Sequence, residues 1–353
     1  MKLYIFNPEH DLALAQANKY FTAPKAAMKL RSDLAYIPAL WADDNSLILV
    51  ENIEEAIKQP LVQSRNVIFT DGMGLRYYLN KITEIVPWGW DICVKYQLWS
   101  LGIPDHLLPD NSQLSIYKEL SNRKTSIWLF ENLRKNINHA EFVGNPRYVT
   151  SLAEIKQLAS QYKRAVLKAP WSSSGRGIRF IDSQIDTPRL NWAKNVISCQ
   201  GGIIIEPRYE KIQDFAMEFL IDSKGADFLG LSLFSTTNGS YVGNVLTSEE
   251  EKQKILSNYV PLPLLDNLKE QLTITLAEWF SNKYNGPLGV DMMIVKKQSS
   301  GDIEQIYAIH SMVEINLRYT MGYAALAFSK IKGNMHKTMQ IAFSDNHYYL
   351  EIT

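Results

Sequence analysis

"VLKAPWSSSGRGIRFI", residues 166–181, is an apolar run carrying one lysine that breaks into three serines and two glycines around an arginine, then resumes as an apolar run. Short runs rich in Val, Ile and Phe read as strands, so the segment predicts two antiparallel strands joined by a Gly/Ser turn. Two known phosphate cradles are excluded. "SSSGRG" lacks the GxxxxGK(S/T) spacing of a P-loop and the GxGxxG of a dinucleotide fold, and a strand rather than a helix follows it. Gly175 and Gly177 permit close approach of the backbone to a ligand, while Ser172, Ser173 and Ser174 offer hydroxyl and N–H donors to an anion. An ordinary Gly/Ser hairpin explains the turn residues equally well. Lys168 shifts the balance: at the end of its strand it stands beneath the turn, where its ammonium can pair with phosphate oxygens. An exposed edge lysine is the alternative.

A second constellation lies more than a hundred residues downstream. In "SMVEINLRY", Glu314, Asn316 and Arg318 alternate with Val313, Ile315 and Leu317, so at the period of a strand the three polar side chains share one face. In "GVDMMIV", Asp291 is embedded in an apolar strand. A buried carboxylate without a partner is costly, so two acids in such surroundings call for a cation or hydrogen bonds. Two carboxylates and an amide oxygen suit Mg²⁺, which favours carboxylates together with substrate phosphates. The competing explanation is a solvated strand with Glu314 and Arg318 as an ion pair. Asp291, a lone acid between Val290 and Met292, fits that explanation poorly.

Outward from these motifs, 353 residues at 46% hydrophobic exceed what one core usually organises, so two or three subdomains are expected. Thirty-seven basic residues balance 37 acidic ones, which removes any global field for nucleic acid or an anionic membrane. The opening "MKLYIFNPEHDLALA" has too short an apolar run for a signal peptide, and no apolar run reaches membrane-spanning length. Cys93 and Cys199 show no metal or redox spacing, and the six histidines form no HExxH or HxH pair. A cytoplasmic protein without a histidine-based zinc site is the expectation. "KLYIF", "SLILV" (46–50) and "NVIFT" (66–70) read as strands of a small α/β unit. "GWDICVKYQLWSLGI" (89–103) and residues 120–136 read as helices, the latter capped by Ser121 or Asn122. From 141 the chain reads as a compact α+β unit with an antiparallel sheet, and then as a strand-rich sheet with helices at about 265–284 and 323–332. Trp88, Trp90 and Trp99 read as core, since no basic residues interleave them as a base-stacking platform would need. "TDGMGLRYY" (70–78) reads as a plain strand-to-helix turn before an anion site.

The stretches "VLKAPWSSSGRGI", "IIIEPRYEKIQDFAMEF", "GPLGVDMMIV" and "MVEINLRYTMG" stand in the order and at roughly the separations of the ATP-grasp superfamily, which the chain resembles over about residues 115–330. The resemblance implies an α/β and α+β architecture. An N-terminal α/β domain (1–120), of the kind that commonly precedes the grasp lobes, would be followed by a small lobe with a Gly/Ser-rich lid (121–206) and a large lobe with Mg²⁺-binding acids (207–353). It implies that Lys168 touches ATP phosphate and adenine-side atoms, that Ser172 to Gly177 form the lid, and that Glu206 and the backbone after it meet adenine at the interlobe hinge. Asp214 resembles the ribose contact, with Glu210 and Glu218 as rivals. Arg123 or Lys124 fills the basic position that opens the grasp region, and Asp291, Glu314 and Asn316 hold Mg²⁺, with Mn²⁺ able to replace it. A homodimer is compatible with the resemblance.

Family members commonly transfer the γ-phosphoryl of ATP to a carboxylate, and an amine or similar nucleophile attacks the acylphosphate. The resemblance therefore implies a ligase, with a kinase and a silent nucleotide-binding module as alternatives. Mg²⁺, Lys168, Arg318 and the lid donors supply the positioning and charge neutralisation such transfer needs. Arg318, whose fork matches phosphate or carboxylate, is the candidate for holding the transferring group. Acceptor specificity is expected from Asn7 to Asp11, through His10, or from "FSTTNGSYVGN" (234–244), through Ser235, Thr236, Asn238 and Tyr241. For the first, a helix start with acids at its positive end is an equal reading; for the second, a plain Asn-Gly hairpin competes.

Overall fold

The computed structural model describes residues 1–137, 141–172, 175–297, 306–331, 333 and 335–353. Strands β1 (Lys2–Ile5), β2 (Leu47–Leu49), β3 (Ile68–Thr70) and β4 (Glu84–Pro87) form a parallel sheet in the order β3-β2-β1-β4. Leu3 pairs with Leu47 and Ile85, and Ile48 with Phe69, so the strands read as continuous apolar runs, as strands covered on both faces do. The first three match the sequence expectation. β4 has no alternation and ends in Pro87, a residue that demotes a strand reading, and its pairing with β1 makes it a strand.

The short β5 (Phe142–Val143) joins the far edge of the largest sheet. After it, β6 (Arg147–Val149), β7 (Ala165–Lys168), β8 (Ile178–Ile181) and β9 (Ile203–Pro207) make an antiparallel sheet in the order β6-β9-β7-β8. The helices Leu152–Tyr162 and Thr187–Gln200 close a small core around Leu167, Ile155 and Ile205. The antiparallel α+β unit expected from residue 141 is this one.

The rest is a sheet of eight strands, β16-β15-β12-β11-β10-β13-β14-β5. Its remaining members are β10 (Glu210–Asp222), β11 (Gly225–Thr237), β12 (Ser240–Leu246), β13 (Gly286–Lys296), β14 (Tyr307–Asn316), β15 (Lys337–Ser344) and β16 (His347–Ile352). The helix Leu262–Phe280 packs on it because Leu264, Leu265, Leu268, Leu272, Leu276 and Phe280 recur at three- and four-residue spacing and are buried. Leu129, Phe130 and Leu133 of the helix Arg123–Asn136 enter the same core. That helix is capped by Asn122, whose Oδ1 accepts from the Lys124 amide at 2.8 Å, which resolves the choice between Ser121 and Asn122.

A further core is shared between domains. Tyr4, Phe6 and Ile48 of the first domain pack with Leu246, Phe328, Met339 and Leu350. The helix Lys25–Asp33 lies against β16, where Asp33 Oδ2 accepts from the Tyr348 amide at 2.9 Å. Trp88 is buried as expected, but Trp99 is 54% exposed and stacks on Tyr96, because its helix, Ile92–Ser100, lies at the domain surface. "TDGMGLRYY" is a plain turn: Asp71 Oδ1 accepts from the Gly74 amide at 2.6 Å at the start of a 3₁₀ turn. Among the described residues no helix is long and apolar enough to cross a membrane.

Candidate functional site

Asp291 on β13 stands opposite Glu314 on β14, and Gly289 opposite Asn316. The two acids therefore face each other across one pair of strands. Burial and the Glu314 charge push the Asp291 carboxyl up to about 7. Asn316 Nδ2 donates to Asp291 Oδ2 at 3.2 Å, and its Oδ1 accepts from Arg318 at 2.7 Å. The period-two reading of "EINLR" thus brought three side chains to one place. The ion pair between Glu314 and Arg318 weighed as an alternative does not form. Arg318 instead pairs with Asp11 of the first domain, at 2.9 Å and 3.1 Å, and Glu314 pairs with Arg123 at 2.6 Å. Burial opposes ionisation of Asp11, but the Arg318 guanidinium outweighs it and holds the carboxyl below its usual range.

Arg123 opens its helix and is almost fully buried. Its fork reaches the Ala169 carbonyl and the Ser172 hydroxyl, each at 2.6 Å, the Ser172 carbonyl at 3.2 Å, and Glu314. Lys124 lies outside this set, 5.2 Å above the Tyr148 ring. Gly177 is needed where it stands, since a Cβ there would meet Ser172 Oγ at 2.1 Å. Gly175, at φ +70, touches the β11–β12 hairpin, where a Cβ would meet the Gly239 carbonyl at 2.7 Å. Ser173 and Ser174 lie outside the described residues.

Lys168 ends β7 buried, which excludes the exposed edge lysine. Its ammonium pairs with Glu206 and donates to the Val313 carbonyl at 3.2 Å. His310 Nε2 meets the other Glu206 oxygen at 3.0 Å. Burial alone would raise the Glu206 carboxyl, but the Lys168 ammonium and the contact with His310 outweigh it and hold it at about 2. His310 was not singled out in the sequence, although it sits four residues before Glu314 on the same strand parity. Asp214 Oδ2 accepts from Lys211 at 2.5 Å and Thr236 at 2.7 Å, and Glu210 is exposed.

Arg123, Gly175, Asp291, Glu314, Asn316 and Arg318 line a cleft of about 230 Å³, which Lys168, Glu206, His310 and Asp214 do not line; Lys168 and Glu206 instead border a small separate cavity with Arg123. The other wall of the cleft carries Tyr241, whose hydroxyl donates to Asn244 Oδ1 at 2.5 Å, and Asn244, which donates to Ser232 Oγ at 2.7 Å. The hairpin itself is an Asn-Gly turn, with φ 51 at Asn238 and 82 at Gly239, as a type I′ turn requires. His10 does not reach the cleft. It is buried, with Nδ1 3.1 Å from Asp91; of its loop Pro8 lines the cleft, and Asp11 holds Arg318, which lines it. Glu218, weighed only as a rival to Asp214, lines the cleft too. Burial pushes its carboxyl up to about 8, against a hydrogen bond from Thr320 at 2.8 Å.

The donor set at Asp291 and Glu314 fits a divalent cation: two hard oxygen acids face one another, and burial together with the Glu314 charge raises the Asp291 carboxyl, which a cation would relieve. Among the described residues no group of three or more His, Cys, Asp or Glu side chains stands ready to cage a metal. The remaining ligands would then come from a substrate or water, as is usual for Mg²⁺.

No family model matches the sequence, and no curated protein matches it. Solved structures do. The biotin carboxylase from Campylobacter jejuni, solved as a β-γ-ATP complex, superposes with a TM-score of 0.51 over 92% of this chain and 67% of its own, at 12% identity. An N5-carboxyaminoimidazole synthetase from Staphylococcus aureus with ADP gives 0.49 over 98% and 83%, at 12% identity. An ATP-grasp superfamily protein from Archaeoglobus fulgidus, described as putative, gives 0.48 over 100% and 98%, at 14% identity. The chain has the ATP-grasp fold, two α+β lobes preceded by a small α/β domain.

Proposed function

We propose that this protein is an ATP-dependent ligase that activates a small-molecule carboxylate as an acylphosphate and passes it to an amine or similar nucleophile, forming a carbon–nitrogen bond and releasing ADP and phosphate. The observation that carries the reading is the meeting of Asp291, Glu314, Asn316 and Arg318 at one end of an interlobe cleft that Arg123 and Gly175 also line. The shared fold with a carboxylase solved as a β-γ-ATP complex supports the nucleotide.

Asp291, Glu314 and Asn316 would hold Mg²⁺, or Mn²⁺ in its place; bound there, the ion neutralises phosphate charge. Lys168 and Glu206 serve the adenine side, Asp214 the ribose, and Arg123 with Ser172, Gly175 and Gly177 the phosphates. Arg318 orients the transferring phosphoryl group or the substrate carboxylate with a two-pronged contact. Asp11 holds that fork from the first domain, at 2.9 Å and 3.1 Å. Phosphoryl transfer asks for positioning and charge neutralisation rather than a covalent nucleophile, and this set provides both.

Calorimetry with ATP and Mg²⁺ tests the nucleotide: heat is expected below millimolar concentration, and silence up to that level sinks the reading. Incubation with ATP, Mg²⁺ and pooled carboxylates and amines, followed by mass spectrometry, tests the chemistry. Joined products with ADP are expected. A product that carries phosphate and nothing else would make the protein a kinase.

A further inference from the structure

Among the described residues two acids of the cleft have no ion-pair partner, Asp291, which faces Glu314 and accepts from Asn316, and Glu218, which faces neither. It sits on β10 with 2% of its surface exposed, and its Oε1 accepts from Thr320 Oγ1 at 2.8 Å. Its Oε2 accepts no hydrogen bond among the described residues, and the side chain lines the cleft. Neither nearby cation serves it: Lys252 pairs with Glu249 at 3.5 Å, and Arg318 with Asp11. The backbone is cut back to make room for this carboxyl. A Cβ on Gly322 would stand 2.1 Å from Oε1 and one on Gly289 would stand 2.9 Å from Oε2. The same Gly322 position lies 2.7 Å from Ser232 Oγ, so two oxygens converge on one small space.

An acid buried in such a place becomes a carboxylate against a ligand that brings positive charge and several N–H donors together, which a primary ammonium does and a hydroxyl does not. Apolar side chains line the cleft as well. Phe6 and Trp88, edge to face at 4.9 Å, line the cleft with Leu30, Met321 and Ile341, and Met321 directly precedes Gly322. We propose that Glu218 is the receptor for a small primary ammonium compound with an apolar substituent, and so decides which substrate the cleft admits. The proposal rests on the ligase reading for the fate of that amine, and not for its binding.

Calorimetry on the full chain without nucleotide tests it, using L-leucine and L-phenylalanine against 4-methylpentanoate and 3-phenylpropanoate, which lack the amine. The amines are expected to bind the wild-type protein at least tenfold more tightly than their deaminated partners, and Glu218→Gln to remove that advantage. Should the variant fail to fold, the comparison of ligand pairs on the wild-type protein still decides. The proposal is overturned if the deaminated acids bind as well as the amines, if neither amine binds, or if Glu218→Gln binds amines as the wild type does. It is equally overturned if that variant raises only the Mg²⁺ concentration needed for ATP binding, which would make Glu218 a metal ligand. Titration of the same samples with ATP and Mg²⁺ reports on the ligase reading separately.

Discussion

At the scale of single residues, function in this cleft is set by which charges are paired and which are left over. Glu314 faces Asp291 and holds Arg123, so Glu314→Gln is expected to lower turnover by at least a hundredfold with the fold intact, read as kcat beside an unchanged circular dichroism spectrum. Glu218 gives a stability prediction. Its folded carboxyl keeps its proton up to about pH 8, whereas the unfolded chain releases it near its ordinary value. The folded form therefore binds more protons across that interval, and stability falls as pH rises through it. Glu218→Gln removes the penalty, so the variant should match the wild type near pH 4 and exceed it by about 4 kcal/mol at pH 8, measured by urea unfolding without ligands. A constant gap between the two would argue against an uncompensated acid. The period-two pattern made Glu314, Asn316 and Arg318 legible in the sequence, and Asp291 stood out among apolar neighbours. The partners of these residues were not legible: Asp11 meets Arg318 across 307 residues and His310 meets Glu206 across 104, and nothing local encodes either meeting.

At the scale of elements, Arg123 is a tie between three of them. One guanidinium joins the start of its helix, the segment after β7 and strand β14. Arg123→Met should cost about 3 kcal/mol, because it strands Glu314 and the Ala169 and Ser172 carbonyls, and the loss should appear as a lower denaturation midpoint. Gly175 acts at the same scale through its backbone. Gly175→Ala is strained at φ +70 and crowds the Gly239 carbonyl, so a cost of about 1–2 kcal/mol is expected, read as a fall in Tm. Strands with marked apolar runs were legible in the sequence, as was the helix Leu262–Phe280. The helices Asn111–Leu120 and Glu249–Ser257 and the strands β15 and β16 were missed. Glu249–Ser257 opens with three glutamates and buries little, and "HYYLEI" is an edge strand whose burial comes from the first domain rather than from its own pattern.

For the whole molecule, the shared core makes the first domain and the large sheet one cooperative unit. Removing residues 335–353 deletes Met339 and Leu350 from beneath Tyr4, Phe6 and Ile48. The truncated chain should therefore lose the cooperative unfolding of its first domain, followed by fluorescence of the buried Trp88, while the core around Leu167 and Ile205 keeps its own transition. Two transitions of unchanged midpoint would show the domains to be independent. The same feature reaches back to the moment of synthesis. Chains leave the ribosome amino end first, at about 5–20 residues per second, and the apolar face of β1 waits for partners roughly 300 residues later. For about 15–60 s the nascent first domain carries an uncovered surface that its own residues cannot close, so in a cell this protein is a client for whatever shelters unfinished chains. Slowing translation between positions 50 and 330 should lower its soluble yield.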